Sequence, residues 1–252
     1  MGASAPSPDV PLVLVGRDGR KRRVLAADAA AQGLGLHSGM AVAKAQALVA
    51  ELIVMDADAE ADAQGLDRLA LWALRRYAPI VAAAPPDGLM IDIAGAAHLK
   101  GGEAALLADL RERLAAAGVA ARAAVAPTYG AAHALARFGH DPMAVSVGDV
   151  ATALAGLPVA ALRLPAPTVD GLRRLGFDRI GELAATPRAP LGLRFGPEPG
   201  RRLDQAYGRV EEPFELIAAP ELVQVRRDFA EPIGAPETLA RYTEKLVVEL
   251  CE

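Results

Sequence analysis

The 252 residues carry 27 Lys and Arg against 31 Asp and Glu, a net charge of −4, and they are 52% apolar but only 4% aromatic. That length is enough for one large domain or about two or three small ones, and the alanine-rich balance predicts a finely packed core that favours helices. No apolar run reaches eighteen residues and no signal peptide is visible, so the composition argues for a cytoplasmic protein with no membrane partner. The single Cys251 rules out a disulfide framework, and four scattered histidines argue against a zinc site.

The first element is PLVLVGRDGRKRRVLAA, which reads as a β-hairpin with a Gly-Arg-Asp-Gly turn. Arg17, Arg20, Lys21, Arg22 and Arg23 crowd its tip, either as a solvated turn or as a phosphate contact. Between Ala27 and Leu52 the pattern gives two short helices separated by GLGLHSGM, with Ser38 placed to cap the second. The acidic run DADAEADAQGLD superficially resembles a calcium loop. It has no glycine at the sixth position and no distal glutamate, so its acids are expected to stabilise the start of the helix that continues through Leu66, Leu69, Leu74 and Tyr77.

A strand at Leu89–Ile93, a helix at Glu103–Ala117 closed by Gly118, a strand at Val119–Val125 and a helix at Tyr129–Phe138 follow, forming a split crossover unit. Across the first of these strands, PPDGLMIDIAG places Asp87 and Asp92 an odd number of residues apart, which keeps their carboxylates from converging on one ion. A metal at Asp87 would need an acid beside it, and its neighbour is Gly88.

After His140 the composition shifts toward Pro, Arg and Leu. Nine arginines stand against five acids between Leu157 and Arg209, which leaves the remainder of the chain at −8. Such a basic module suits contact with phosphates, though arginine-rich helices also serve as plain solvated faces. Within it LGFDRIGEL reads as helix, glycine-bounded hairpin and helix. The hairpin is either a simple connection or an anion site in which Gly176 and Gly181 bring backbone N–H groups to a DNA phosphate and Arg173, Arg174 and Arg179 add charge. Beyond Pro220, LVQVRRDF alternates like an edge strand and PETLARYTEKLVVELCE like the helix after it, a pair too small to be a domain by itself.

Taken together, five stretches in order resemble Y-family translesion DNA polymerases, and more closely their ImuB-type relatives, over nearly the whole chain. LGLHSGMAVAKAQAL is similar to the fingers, PPDGLMIDIAG to the palm strand and VAPTYGAAHALARFG to the palm helix; LPVAALRLP with LGFDRIGELAATP resembles the thumb, and LVQVRRDFAEPI the first strand of the little finger. The resemblance implies an α+β, Y-family polymerase-like fold. Its pieces would be partial fingers with the N-terminal hairpin at 1–58, a palm with the split βαβ crossover at 59–140, a helical thumb with the helix-hairpin-helix at 141–219, and the start of a truncated little finger at 220–252.

In that family two metal ions held by three acids carry out nucleotidyl transfer. The family's first acidic strand has no counterpart before Pro11. Of its later Asp-Glu pair, Asp87 matches the aspartate while Gly88 stands in place of the glutamate. The tyrosine and arginine that hold the triphosphate fall on Ala29 and Gln32, and the palm lysine on His133. A neutral Gln32 lacks the charged fork of a guanidinium, and a histidine is mostly neutral near pH 7.

The resemblance therefore implies a noncatalytic, DNA-binding adaptor in damage-induced mutagenesis, with Asp87 a vestige, no metal and no cofactor. Implied partners are primer-template DNA, the sliding clamp, an ImuA-type RecA-like protein and an error-prone replicative-type polymerase. Two rivals stand beside it: an active translesion polymerase, and an unrelated helix-hairpin-helix DNA-binding protein.

Overall fold

The computed structural model describes residues 6–7, 9–19, 21–140, 143–218, 225–230 and 232–251. The chain divides into two compact units, residues 1–69 with 84–88 and residues 70–83 with 89–252.

In the first unit β1 (Leu12–Asp18) pairs antiparallel with β2 (Lys21–Ala27) and parallel with β3 (Ile53–Asp56), giving the sheet order β2-β1-β3. The hairpin is where the sequence puts it, but its turn is not: strand pairing continues through Gly16, Arg17 and Asp18, and Asp18 lies opposite Lys21. Gly19, at φ 60°, takes the left-handed conformation just past the end of β1. Alternate residues Val13 and Val15 of β1 and Val24 of β2 are buried in one core with Leu36, Met40, Val42 and Ala45. Two short helices follow, α1 (Ala29–Gly33) and α2 (Val42–Leu48). Asp28 caps α1 through the amide of Ala31 at 2.8 Å, whereas α2 begins at Ala41 with no side-chain cap, so the expected role of Ser38 is not taken up. Helix α3 (Ala59–Arg76), whose residues from Ala70 onward belong to the second unit, starts in the acidic run as expected. Asp58 accepts from the amide of Ala61 at 2.9 Å, Glu60 and Asp62 sit in the first turn, and Arg75 and Arg76 complement the dipole at the far end.

The second unit carries most of the helices. β4 (Val81–Ala84) and β5 (Gly88–Ile91) form a two-stranded hairpin, and α4 (Glu103–Ala116) follows. The strand expected over Val119–Val125 shrinks to β6 (Ala124–Val125), which pairs in parallel with β7 (Met143–Ala144). Between them lies α5 (Tyr129–Phe138), so the crossover closed by strand pairing is β6-α5-β7. The residues ahead of β6 are mostly alanines with little side chain to pack across strands, and Arg122 instead fixes this stretch by donating to the carbonyls of Ala136 and Gly139.

Five more helices, α6 (Val150–Ala155), α7 (Ala166–Arg174), α8 (Ile180–Ala185), α9 (Arg188–Phe195) and α10 (Glu198–Ala206), share one core with α5. Leu135, Leu154, Leu172, Ile180, Leu183 and Leu203 are at most 1% exposed there. Leu222, Val223 and Gln224 of the expected edge strand lie outside the described residues, and the described part of that run, Val225–Phe229, is not strand. The helix after it is present as α11 (Pro236–Cys251), with none of its residues buried. Among the described residues no helix is long and apolar enough to cross a membrane.

A charged cluster ties Tyr77, just past the end of α3, to α4. Arg113 Nε donates to Asp109 Oδ1 and the Tyr77 hydroxyl to Asp109 Oδ2, both at 2.8 Å. These two donors, Arg113 foremost, hold the Asp109 carboxyl well below the usual range, at about 2. Burial, then the bond to the carboxylate, pushes the Tyr77 hydroxyl up to about 12. Because the Asp109 value is depressed by folding, its contribution to stability is complete above the unfolded value near 3.8 and is lost as pH falls toward 2. Asp109→Asn should therefore lower the urea midpoint at pH 6, and the gap to wild type should close between about pH 4 and about pH 2. A gap that stays constant over that range would assign the loss to packing rather than to charge.

Candidate nucleic-acid interface

The turn between β4 and β5 is Pro85-Pro86-Asp87, with a cis bond between the prolines, and Asp87 is exposed at its end. Gly88 opens β5 and brings no side chain to the place where a second acid would stand. Asp92 does not turn toward Asp87 as a partner: its Oδ1 accepts from the Ala94 amide at 3.0 Å, and its own amide donates to Ile80. It serves as a turn aspartate. Among the described residues no three His, Cys, Asp or Glu side chains gather to hold a metal ion. The positions matched to triphosphate contacts are occupied by local structure. Ala29 opens α1, and Gln32 Nε2 donates back to the Ala27 carbonyl at 2.7 Å. His133, on α5, accepts from Arg137 Nε at 3.1 Å and meets the Tyr129 ring edge-on.

The hairpin of the helical module requires a correction. Gly176, at φ 86°, ends α7 in the left-handed conformation, and its amide donates to Arg173 while that of Phe177 donates to Leu172. The amides of Asp178 and Arg179 both donate to Glu182 Oε2, at 2.8 and 2.9 Å, and that of Ile180 donates to Leu157. Every amide from Gly176 to Ile180 is thus used inside the chain, and the expected row of free N–H groups for a phosphate is not there. Gly181 has a packing role instead, since a β-carbon on it would lie 3.1 Å from the Ala155 carbonyl oxygen and 3.2 Å from the Ala155 methyl. The residue overlooked in the sequence is Glu182. Its signal was legible, because an acid three residues after a helix cap is placed to reach back to the cap amide.

What the hairpin presents to solvent is charge. Arg173 and Arg174 occupy the last turn of α7, and Arg179 follows the turn; all three are exposed. Arg174 Nε donates to the Asp170 carbonyl at 3.2 Å, and Arg179 Nη1 donates to Gly156, which leaves the remaining guanidinium faces outward. In the N-terminal hairpin Arg17 lies opposite Arg22 in the register, Arg22 pairs with Asp56 at 2.7 Å, and Arg23 donates to Gly39 at 2.8 Å. Part of that basic tip is therefore tied down by the fold.

Residues 7–137 match the family model described as impB/mucB/samB. The chain belongs to that family. Among curated members and relatives, Protein ImuB of Caulobacter vibrioides (strain NA1000 / CB15N) is 47% identical over 220 residues, covering 86% of this chain and 47% of the relative. DNA polymerase IV of Dehalococcoides mccartyi (strain CBDB1) is 26% identical over 212 residues, covering 82% and 54%. The chain spans about half the length of these relatives.

Among solved structures, DinB from Sulfolobus solfataricus superposes with a TM-score of 0.64 at 19% identity, covering 81% of this chain and 62% of that one. The post-insertion binary complex of Dbh DNA polymerase gives 0.63 at 18%, covering 95% and 71%. This impB/mucB/samB chain thus has the α+β fold of the Y-family polymerases.

Because Gly181 is held against α6, Gly181→Ala should destabilise the chain by about 1–3 kcal/mol through overpacking. Denaturant unfolding measures that loss. DNA affinity of the folded variant should be unchanged, and a selective loss of affinity would return Gly181 to the interface.

Proposed function

We propose that this chain is a noncatalytic, Y-family-like DNA-binding adaptor in damage-induced translesion synthesis and mutagenesis. The observation that carries the proposal is Gly88: it follows Asp87 at the start of β5, where the working enzymes of the resemblance need a second acid for their pair of metal ions, and it supplies none. Ala29, Gln32 and His133 support the same reading, since none offers a triphosphate the charged donors that the chemistry needs. The identity to Protein ImuB, higher than to the DNA polymerase IV relatives, supports it further. On this reading the chain is cytoplasmic and is built of fingers, palm, thumb and the start of a little finger, with the bounds given above. Its partners are primer-template DNA, the sliding clamp, an ImuA-type RecA-like protein and an error-prone replicative-type polymerase.

The DNA contact is assigned to Arg173, Arg174 and Arg179. Without free amides at the hairpin it is a contact of charge, blind to sequence and sensitive to salt. The test is a salt titration of duplex and primer-template affinity. Neutralising the three arginines should weaken binding at every sequence alike and flatten the slope of log K against log salt by up to about three units, near one per phosphate lost. Asp87→Ala should leave affinity unchanged. If the triple variant keeps the wild-type slope while neutralising Arg17, Lys21 and Arg22 reduces it, the contact belongs to the N-terminal hairpin.

A further inference from the structure

The segment 211–217, which follows α10, is held at three points. Glu212 receives a two-pronged bond from Arg163, Nη1 to Oε1 at 2.7 Å and Nη2 to Oε2 at 2.6 Å, and a third from Arg202 Nη1 at 2.7 Å. The Glu212 and Arg163 side chains are only 10% and 17% exposed. Two residues on, the Phe214 ring meets that of Tyr129 at 6.2 Å, while the Arg163 guanidinium lies over the same Tyr129 ring at 4.5 Å. The Ile217 amide then donates to the Val81 carbonyl at 2.9 Å, and the Ile217 side chain packs on the cluster of Ala70, Ala73, Tyr77, Val81 and Leu106. Because the Ile80 carbonyl accepts from Asp92 on the β5 side, the next carbonyl along β4, that of Val81, points to the opposite edge.

Two observations set this cluster apart from ordinary packing. Arg163 stands at φ 58°, ψ 34°, a left-handed conformation that disfavours any residue with a β-carbon, and it is the one non-glycine residue at positive φ among those described. Moreover, a nearly buried Arg-Glu-Arg cluster gives little or no stability over apolar groups of the same volume, but its forked geometry fits only one arrangement of the chain. We propose that residues 211–217 are a strap locked by Arg163, Glu212 and Arg202. The strap covers the outer edge of β4 and fixes the path by which the chain leaves the helical module.

Amide exchange on the whole chain tests this. An Arg163→Met, Glu212→Met double variant removes both charges and keeps the volume, so that neither is left buried alone. In it the Ile217 amide should exchange at least about tenfold faster than in wild type, while the amides of Leu135 and Leu172 keep their protection. Glu212→Gln, which keeps the shape and loses the charge, should give the same selective effect and serves if the double variant does not fold. An unchanged Ile217 amide in a folded variant would overturn the proposal, because Phe214 and Ile217 would then hold the segment alone. Equal acceleration at Ile217, Leu135 and Leu172 would also overturn it, by making the cluster a general core element.

Discussion

The helical core of the second unit depends on the close approach of α5 to α10. Thr128 caps α5 through the Ala131 amide at 3.1 Å, and the same hydroxyl donates to the Ala206 carbonyl at 2.9 Å. Gly130 makes room for this contact, since a β-carbon there would lie 2.9 Å from Ala206 Cα. With the two backbones drawn together, Ala131, Ala134 and Leu135 of α5 join Leu203 and Ala206 of α10 in the same core as Leu172, Ile180 and Leu183. The helical module therefore has no core separate from α5. Alanine dominates these surfaces because small side chains let helices pack closely, and leucines fill the space between them.

This arrangement keeps the Y-family polymerase fold, and the positions that the resemblance matches to that family's chemistry serve local structure. Gln32 is turned onto its own backbone, Asp92 closes a turn, and Gly88 contributes strand pairing and no acid. The basic helical module is built differently. Its amides close the hairpin on Glu182, and its exposed arginines are left to act through charge. Charge alone is tolerant of which DNA sequence it meets.

Much of the fold was legible where local chemistry decides it. The acidic run that holds Asp58 marked the start of α3, the helix at Tyr129–Phe138 was expected where α5 stands, and the 3.6-residue period gave α11 as a helix. The misses fall where alanine carries no pattern or where the deciding contact is distant. The run before β6 is mostly alanine and contributes no ladder ahead of Ala124, and the hairpin turn slid to Gly19 because pairing through Arg17 and Asp18 outweighed the glycine signal at Gly16. The Asp87–Gly88 pair and the arginines of the hairpin stand in the sequence itself. The cluster around Glu212 could not, since Arg163 lies 49 residues away in sequence and only folding brings the two together.

The central claim is a polymerase fold without polymerase chemistry, and primer extension by the purified chain tests it most directly. With primer-template DNA, all four deoxynucleoside triphosphates and magnesium, at protein in excess over DNA, no product longer than the primer should form. Replacing magnesium with manganese should change nothing. Extension by the wild-type chain that Asp87→Ala abolishes would contradict the account, because it would show that Asp87 still holds a catalytic metal without an acid at Gly88.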